Sequence, residues 1–137
     1  VGSAGLIVLD THVLIWWVNG DSQLSEPAVD AIDSALSEQR LVMISAITAW
    51  EIAMLVEKGR LLLTMDLDEW LDTVDSIEGV EWIPVTRQVA VDSVNLPGAF
   101  HQDPADRLIV ALARHENADL ITADGRIQAY PHVRCVW

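Results

Sequence analysis

Five carboxylates sit where chemistry is possible. Asp10 directly follows the apolar run Leu6–Leu9, and Asp124 lies two residues past Leu120–Thr122. Asp103 and Asp106 open the helix expected over Pro104–Glu116, and Glu51 falls about two turns into a helix expected from Ser45. Each of the four aspartates has an ordinary structural use. Asp10 can cap the helix after it, and Asp103 before Pro104 fits an N-cap with Asp106 at the third helical position. Asp106 also suits the helix dipole, and Asp124 before Gly125 suits a turn. Glu51 is harder to dismiss. Its helical neighbours Ile47, Met54 and Leu55 are apolar, and only Thr48 is polar. A buried carboxylate without a partner is costly. A Thr48–Glu51 capping box would start a later helix and waste Ser45 as a cap.

If these groups share one pocket, they repel. Two unit charges ~5 Å apart cost roughly 3 kcal/mol at an effective dielectric of ~20. Lys58 and seven arginines face 21 Asp and Glu, a net charge of −13. A hard divalent cation, Mg2+ or Mn2+, is the natural counter-charge for oxygen donors, and the His and Cys spacing supports no zinc site. Such a cation positions phosphate oxygens, which is the setting of phosphodiester hydrolysis. Spacing alone leads to a metal-dependent phosphoryl enzyme.

Positioning these residues requires a frame. In open parallel sheets, sites form beyond the carboxyl ends of the strands. The runs Leu6–Leu9, Leu41–Ile44, Val80–Val85, Leu120–Thr122 and Val133–Val136 predict short strands. Between them, helices are expected over Ser25–Glu38, Ser45–Lys58, Asp66–Ile77, Thr86–Val94, Pro104–Glu116 and Gly125–Ala129, with Gly59 and Gly79 as stops. Strands that are apolar throughout and alternate with helices argue for a parallel sheet covered on both faces. The expected architecture is one three-layer α/β/α sandwich over residues 6–137, with Val1–Gly5 set aside as a cloning scar or disordered start.

Composition bounds the class. The 137 residues are 51% hydrophobic, with mean hydropathy +0.28, which excludes disorder as the main state. Apolar runs such as Val13–Val18 are far short of the ~20 residues a bilayer needs. No membrane span and no secretory leader are expected. A single cysteine, Cys135, excludes a disulfide framework and makes a reduced, cytoplasmic setting the default. The acidic balance disfavours a basic-patch nucleic-acid binder.

Four segments occur in order: Leu9-Asp10-Thr11-His12, Ser45-Ala46-Ile47-Thr48-Ala49-Trp50-Glu51, His101-Gln102-Asp103-Pro104-Ala105-Asp106-Arg107, and Ile121-Thr122-Ala123-Asp124. Together they resemble the PIN-domain family, specifically the VapC-type toxins of bacterial toxin–antitoxin pairs, over Leu6 to Trp137. The resemblance implies a Rossmann-like fold and a Mg2+- or Mn2+-dependent endoribonuclease that arrests growth when its antitoxin is absent. Asp10, Glu51, Asp106 and Asp124 match the family's acidic positions in turn, and Asp103 matches the first Asp of an Asp-Pro-x-Asp-Arg variant. Thr11 and Thr122 match hydroxyl positions beside the acids. A homodimer and a VapB-like antitoxin are implied as partners, with RNA as substrate and an antitoxin arginine as a candidate occupant of the acidic pocket.

Other residues carry weaker expectations. Arg107 and Arg126 flank the acids and could touch RNA phosphates, with carboxylate pairing the more ordinary use. Lys58 and Arg60 end the Glu51 helix, where cations also suit the dipole. His12 and His101 could reach the site, with polar loop or helix-start roles the more ordinary use. Trp16, Trp17, Trp50 and Trp70 sit at helical spacing and fit core or interface more readily than base-stacking platforms. Adjacent Trp16 and Trp17 are not expected to face one core together, which leaves one to meet a partner. Two rival readings remain open. A non-catalytic interaction module would show no divalent-ion dependence. An aspartyl-phosphate phosphatase or receiver domain would want an acid where His12 stands, for the phosphatase, and for both a lysine near the late strands, whereas Lys58 is the chain's one lysine.

Overall fold

The computed structural model describes residues 5–137; most of the set-aside Val1–Gly5 segment therefore lies outside the described residues. The elements follow in the order β1 (Ile7–Leu9), α1 (Thr11–Asn19), α2 (Glu26–Ser37), β2 (Val42–Ser45), α3 (Ala46–Glu57), α4 (Leu67–Asp75), β3 (Val80–Ile83), α5 (Arg87–Val94), α6 (Pro104–His115), β4 (Asp119–Ile121), α7 (Gly125–Gln128) and β5 (Cys135–Val136). The five strands form one sheet in the order β3-β2-β1-β4-β5, and every pairing is parallel.

Helix starts are set by local chemistry. Ser25 accepts from the Ala28 N–H at 3.3 Å with Pro27 just inside α2, and Thr86 accepts from Val89 N–H at 3.2 Å to open α5. Ser45 does the same for α3 through the Ile47 N–H. At its other end α3 stops at Gly59, whose φ of 68° is the left-handed conformation that favours glycine. Gly79, also left-handed at φ 92°, has the Leu36 side chain 2.9 Å from where a Cβ would stand. Strand β3 is shorter than Val80–Val85 because Pro84 has no N–H to give the ladder. Likewise α4 is shorter than Asp66–Ile77: Asp66 makes no side-chain cap bond and the helix closes at Ser76.

Alternate strand residues feed opposite faces. Ile7, Leu9, Val42, Ile44 and Ile121 pack with α1, α2, Ile52 of α3 and Trp70 and Val74 of α4. Val8, Met43 and Leu120 pack with Val89 of α5, Ile109–Ala113 of α6, Ile127 and Tyr130. Trp70 is 1% exposed and donates its indole N–H to Asn19 Oδ1 at 2.9 Å. Trp16 and Trp17 are both half-buried against the first of these clusters, so the expectation that adjacent tryptophans diverge from one core is corrected. Among the described residues, no helix is long and apolar enough to cross a membrane.

The strand order reverses direction at β1. From β1 the chain moves through β2 to β3 at one edge, then returns to β4 and β5 on the other side of β1. The crevice at the carboxyl ends of β1 and β4 is the switch point, where ligands bind in such sheets.

Candidate active site

Asp10 is the first residue beyond β1. Its N–H continues the sheet to the Ile121 carbonyl at 3.0 Å, and it caps α1. The carboxylate is 7% exposed and fixed by both oxygens: Thr11 N–H donates to Oδ1 at 2.9 Å and the Thr122 hydroxyl to Oδ2 at 2.7 Å. Thr122 Oγ1 in turn accepts from the Asp124 N–H at 3.0 Å. One buried hydroxyl therefore ties the acids following β1 and β4 together. Burial raises the Asp10 pKa, opposed by the Thr122 and Thr11 hydrogen bonds.

Glu51 reaches the same crevice from α3. The Thr11 hydroxyl donates to Glu51 Oε1, and Thr11 Oγ1 lies 3.0 Å from Thr48 Oγ1, so buried Thr48 completes a hydroxyl chain behind the carboxylate. Thr48 is a residue the sequence reading weighed only as a cap. Its signal is a hydroxyl one turn before an acid on an otherwise apolar face. Burial raises the Glu51 pKa, aided by the charges of Asp10 and Asp103.

From α6 come Asp103 and Asp106. Asp103 is the N-cap and accepts from Asp106 N–H at 3.0 Å. The reciprocal half of a capping box is replaced: Asp103 N–H donates to His101 Nδ1 at 3.3 Å. His101 Nε2 then stands 3.1 Å from Asp106 Oδ2, so His101 reaches the site rather than serving only its loop. Asp106 is strongly perturbed. Burial and the charges of Asp10, Asp103, Asp124 and Glu51 push its pKa up to about 7.

Asp124 caps α7 by accepting from the N–H groups of Arg126 and Ile127. Burial raises its pKa, but those N–H groups and the Arg126 guanidinium outweigh it and the net direction is down. Arg126 lies over the mouth, 3.4 Å from Asp124 Oδ2 and 3.7 Å from Asp106 Oδ2, and is 64% exposed.

Asp10, Glu51, Asp103, Asp106 and Asp124 thus line a single pocket of about 370 Å3, with Thr11, His12, Trp16, Ala123 and Arg126. They line its walls rather than closing on one point: among the described residues no three His, Cys, Asp or Glu form a ready cage. The donor set is all oxygen and anionic, with Arg126 as its one paired arginine. That chemistry fits a hard divalent cation better than any softer metal. Cys135 does not compete, since burial and nearby acids push its thiol up to about 11.

The flanking cations divide. Arg107 meets no carboxylate; it donates to the carbonyls of Ser93, Val94, Phe100 and His101. The expected carboxylate pairing gives way to bracing the loop between α5 and α6. Its guanidinium also lies 6.0 Å from the Phe100 ring centre. Lys58 and Arg60 lie together beside Glu51, in a neighbouring groove.

Thr122→Val keeps the shape of a buried side chain but removes the shared hydroxyl. Any hydrolytic activity of this pocket is expected to fall by about tenfold, the lower end of the range lost with a supporting contact beside such a carboxylate set. A steady-state assay beside a circular dichroism spectrum checks this, and unchanged turnover would free Asp10 from any need of Thr122.

Fold and site define a Rossmann-like α/β protein with a carboxylate pocket at its switch point. The PIN domain family matches residues 7–133. The chain is 36% identical over 130 residues to the ribonuclease VapC22 of Mycobacterium tuberculosis, covering 95% of each. Among solved structures it resembles VapBC2 from Rickettsia felis bound to a promoter DNA fragment, at TM-score 0.67, 17% identity and 95% and 96% coverage of the two chains. FitAcB from Neisseria gonorrhoeae follows at TM-score 0.63 and 21% identity, with 94% and 95% coverage. The chain belongs to the PIN-domain family, as a VapC-type member.

Proposed function

We propose that this protein is a Mg2+- or Mn2+-dependent endoribonuclease, the toxin of a bacterial toxin–antitoxin pair that inhibits translation and growth when its VapB-like antitoxin is absent. The observation that carries the reading is the convergence of five carboxylates on one pocket at the switch point. The ribonuclease name of a relative at 36% identity supports the activity. The fold neighbours described as VapBC and other toxin–antitoxin complexes support the partner. A homodimer belongs to the same reading and rests on the family resemblance, and a reduced, cytoplasmic setting rests on the single cysteine, with residues 6–137 forming one PIN domain.

Asp10, Glu51, Asp106 and Asp124 would hold the cation, with Asp103 at the rim. When bound, a divalent ion neutralises phosphate charge and lowers the pKa of water near it. The chain's own groups do the rest. Thr122 and the Thr11 N–H fix both oxygens of Asp10, and the Thr11 hydroxyl fixes one oxygen of Glu51, so neither carboxylate must be ordered when substrate arrives. Arg126, at the mouth, presents a guanidinium fork to a non-bridging phosphate oxygen. Hydrolysis adds the water oxygen to phosphorus, breaks one P–O ester bond and returns a proton to the leaving oxygen.

Incubation of total bacterial RNA with the protein tests the reading. Discrete fragments are expected in Mg2+ or Mn2+, absent in EDTA and restored on re-addition. Fragmentation that persists in EDTA would point to contamination, and intact RNA under all conditions would favour a non-catalytic interaction module.

A further inference from the structure

Beside the acidic pocket runs a second depression of about 510 Å3, lined by Ile47, Trp50, Met54, Leu55, Lys58 and Arg60 of the α3 side and by Pro104 and Ala105 of α6. The two share Glu51 and Asp103, so one opens into the other. We propose that this groove is the subsite for a single-stranded stretch of the RNA, with a base stacked on the Trp50 indole and phosphates on Lys58 and Arg60. The proposal rests on the nuclease reading above and names how its substrate is held.

Three observations converge. Trp50 is 54% exposed, whereas Trp70 is 1% exposed. An indole left open at a pocket rim offers a face that any base can stack on. The charge of the groove is the second observation. Among the eight cationic side chains, Arg40, Arg126 and Arg134 are paired with acids. Arg107 and Arg114 are committed to carbonyls. Three remain without such partners among the described residues: Lys58, Arg60 and Arg87. Two of these three line this one groove. In a chain of net charge −13, paired free cations beside a carboxylate pocket form a local counter-field suited to a polyanion. The third observation is continuity. A strand lying along α3 over Trp50 arrives at Glu51 and Asp103, where the next phosphodiester enters the acidic pocket. Stacking on a tryptophan requires an unpaired base, so a duplex does not fit this use of the groove.

Anisotropy of a labelled ten-nucleotide single-stranded RNA, read in Ca2+, tests the subsite, and wild-type hydrolysis of bis(p-nitrophenyl) phosphate in Mn2+ reads the metal site separately. Trp50→Ala is expected to weaken binding about tenfold, with Trp50→Phe recovering most of the loss. Lys58→Glu and Arg60→Glu should each weaken binding and flatten its salt dependence by about 0.7 per phosphate contact on a log–log plot. Arg87→Glu, which makes the same charge change away from the groove, should bind within about twofold of wild type. Equal losses for Arg87→Glu and Lys58→Glu would overturn the subsite in favour of a diffuse charge effect. Wild-type binding by the Trp50 and cation variants, with loss of a co-purified protein instead, would overturn it in favour of a protein-docking groove. Binding that depends on these residues, in a protein hydrolysing neither RNA nor the small diester, would uphold the subsite and overturn the nuclease reading.

Discussion

Asp106→Asn is expected to lower RNA cleavage by at least ~100-fold, more than a lost supporting contact costs at a metal site, and at the same time to raise the melting temperature of the metal-free protein. The two effects share one cause. Asp106 is pushed up to about 7 because its charged form is buried among Asp10, Asp103, Asp124 and Glu51. The unfolded chain imposes no such penalty. Between its ordinary value of 3.8 and about 7, the folded state therefore binds a proton that the unfolded state has released. Stability contributed through this group falls as pH rises across that window and is lowest above it. Asparagine removes the charge and with it the slope. Melting curves from pH 4 to pH 8 in EDTA check this: the wild type should lose stability with pH, and the variant should lose less. A parallel pair of curves would detach the strain from Asp106. Asp10→Asn should be as inactive but gain less stability, because its two oxygens answer Thr11 N–H and the Thr122 hydroxyl, and an amide satisfies only one of those donors.

Divalent cations should stabilise the folded protein strongly at neutral pH. A ligand that binds only the native state contributes about 2.7 kcal/mol at a hundredfold excess over its Kd. For a chain of this length that corresponds to a rise in Tm on the order of 10 °C. The sign with pH is opposite to that of the metal-free protein. Protons and the cation compete for Asp106 and for Glu51, whose pKa is also raised by burial, so the increment should grow from pH 5 to pH 8. Scanning fluorimetry with Mg2+, Mn2+ and NaCl at matched ionic strength separates binding from screening. An equal shift with NaCl would remove the case for a bound cation. In Asp106→Asn the divalent increment should shrink, since both a donor and the repulsion it relieves are gone.

Most of the frame was legible because it is written locally. Ser25, Ser45 and Thr86 are caps by type and position, Gly59 and Gly79 are left-handed stops, and the apolar runs mark strands covered on both faces. Asp103 and Asp124 show why choosing between a structural and a chemical use was the wrong contest. Each caps a helix and lines the pocket, because at this sheet edge a helix start is also a pocket wall. What was not legible depends on contacts between distant segments. Thr48 stands behind Thr11, 37 positions away, and no spacing rule reports that. His101 reaches Asp106 only because its loop folds back over the start of α6. Arg107 beside Asp106 read as a phosphate or carboxylate partner, and its four carbonyl acceptors lie in segments whose path the sequence does not encode locally.

That arginine has a consequence in the language of polymers. Arg107 grips the Ser93 carbonyl 14 residues back, and so closes the segment from the end of α5 to the start of α6 into a ring. A covalent cross-link around a ring of that size is worth about 3 kcal/mol through the chain entropy it removes. A chain with one cysteine has no such link to offer. A guanidinium shared among four oxygens supplies a reversible version, tight enough to keep His101 and Asp103 in register with Asp106 and able to let go without redox chemistry. Substituting Arg107 is then expected to open the ring and loosen the wall of the pocket it holds as one unit, read as faster amide hydrogen exchange over residues 93–107.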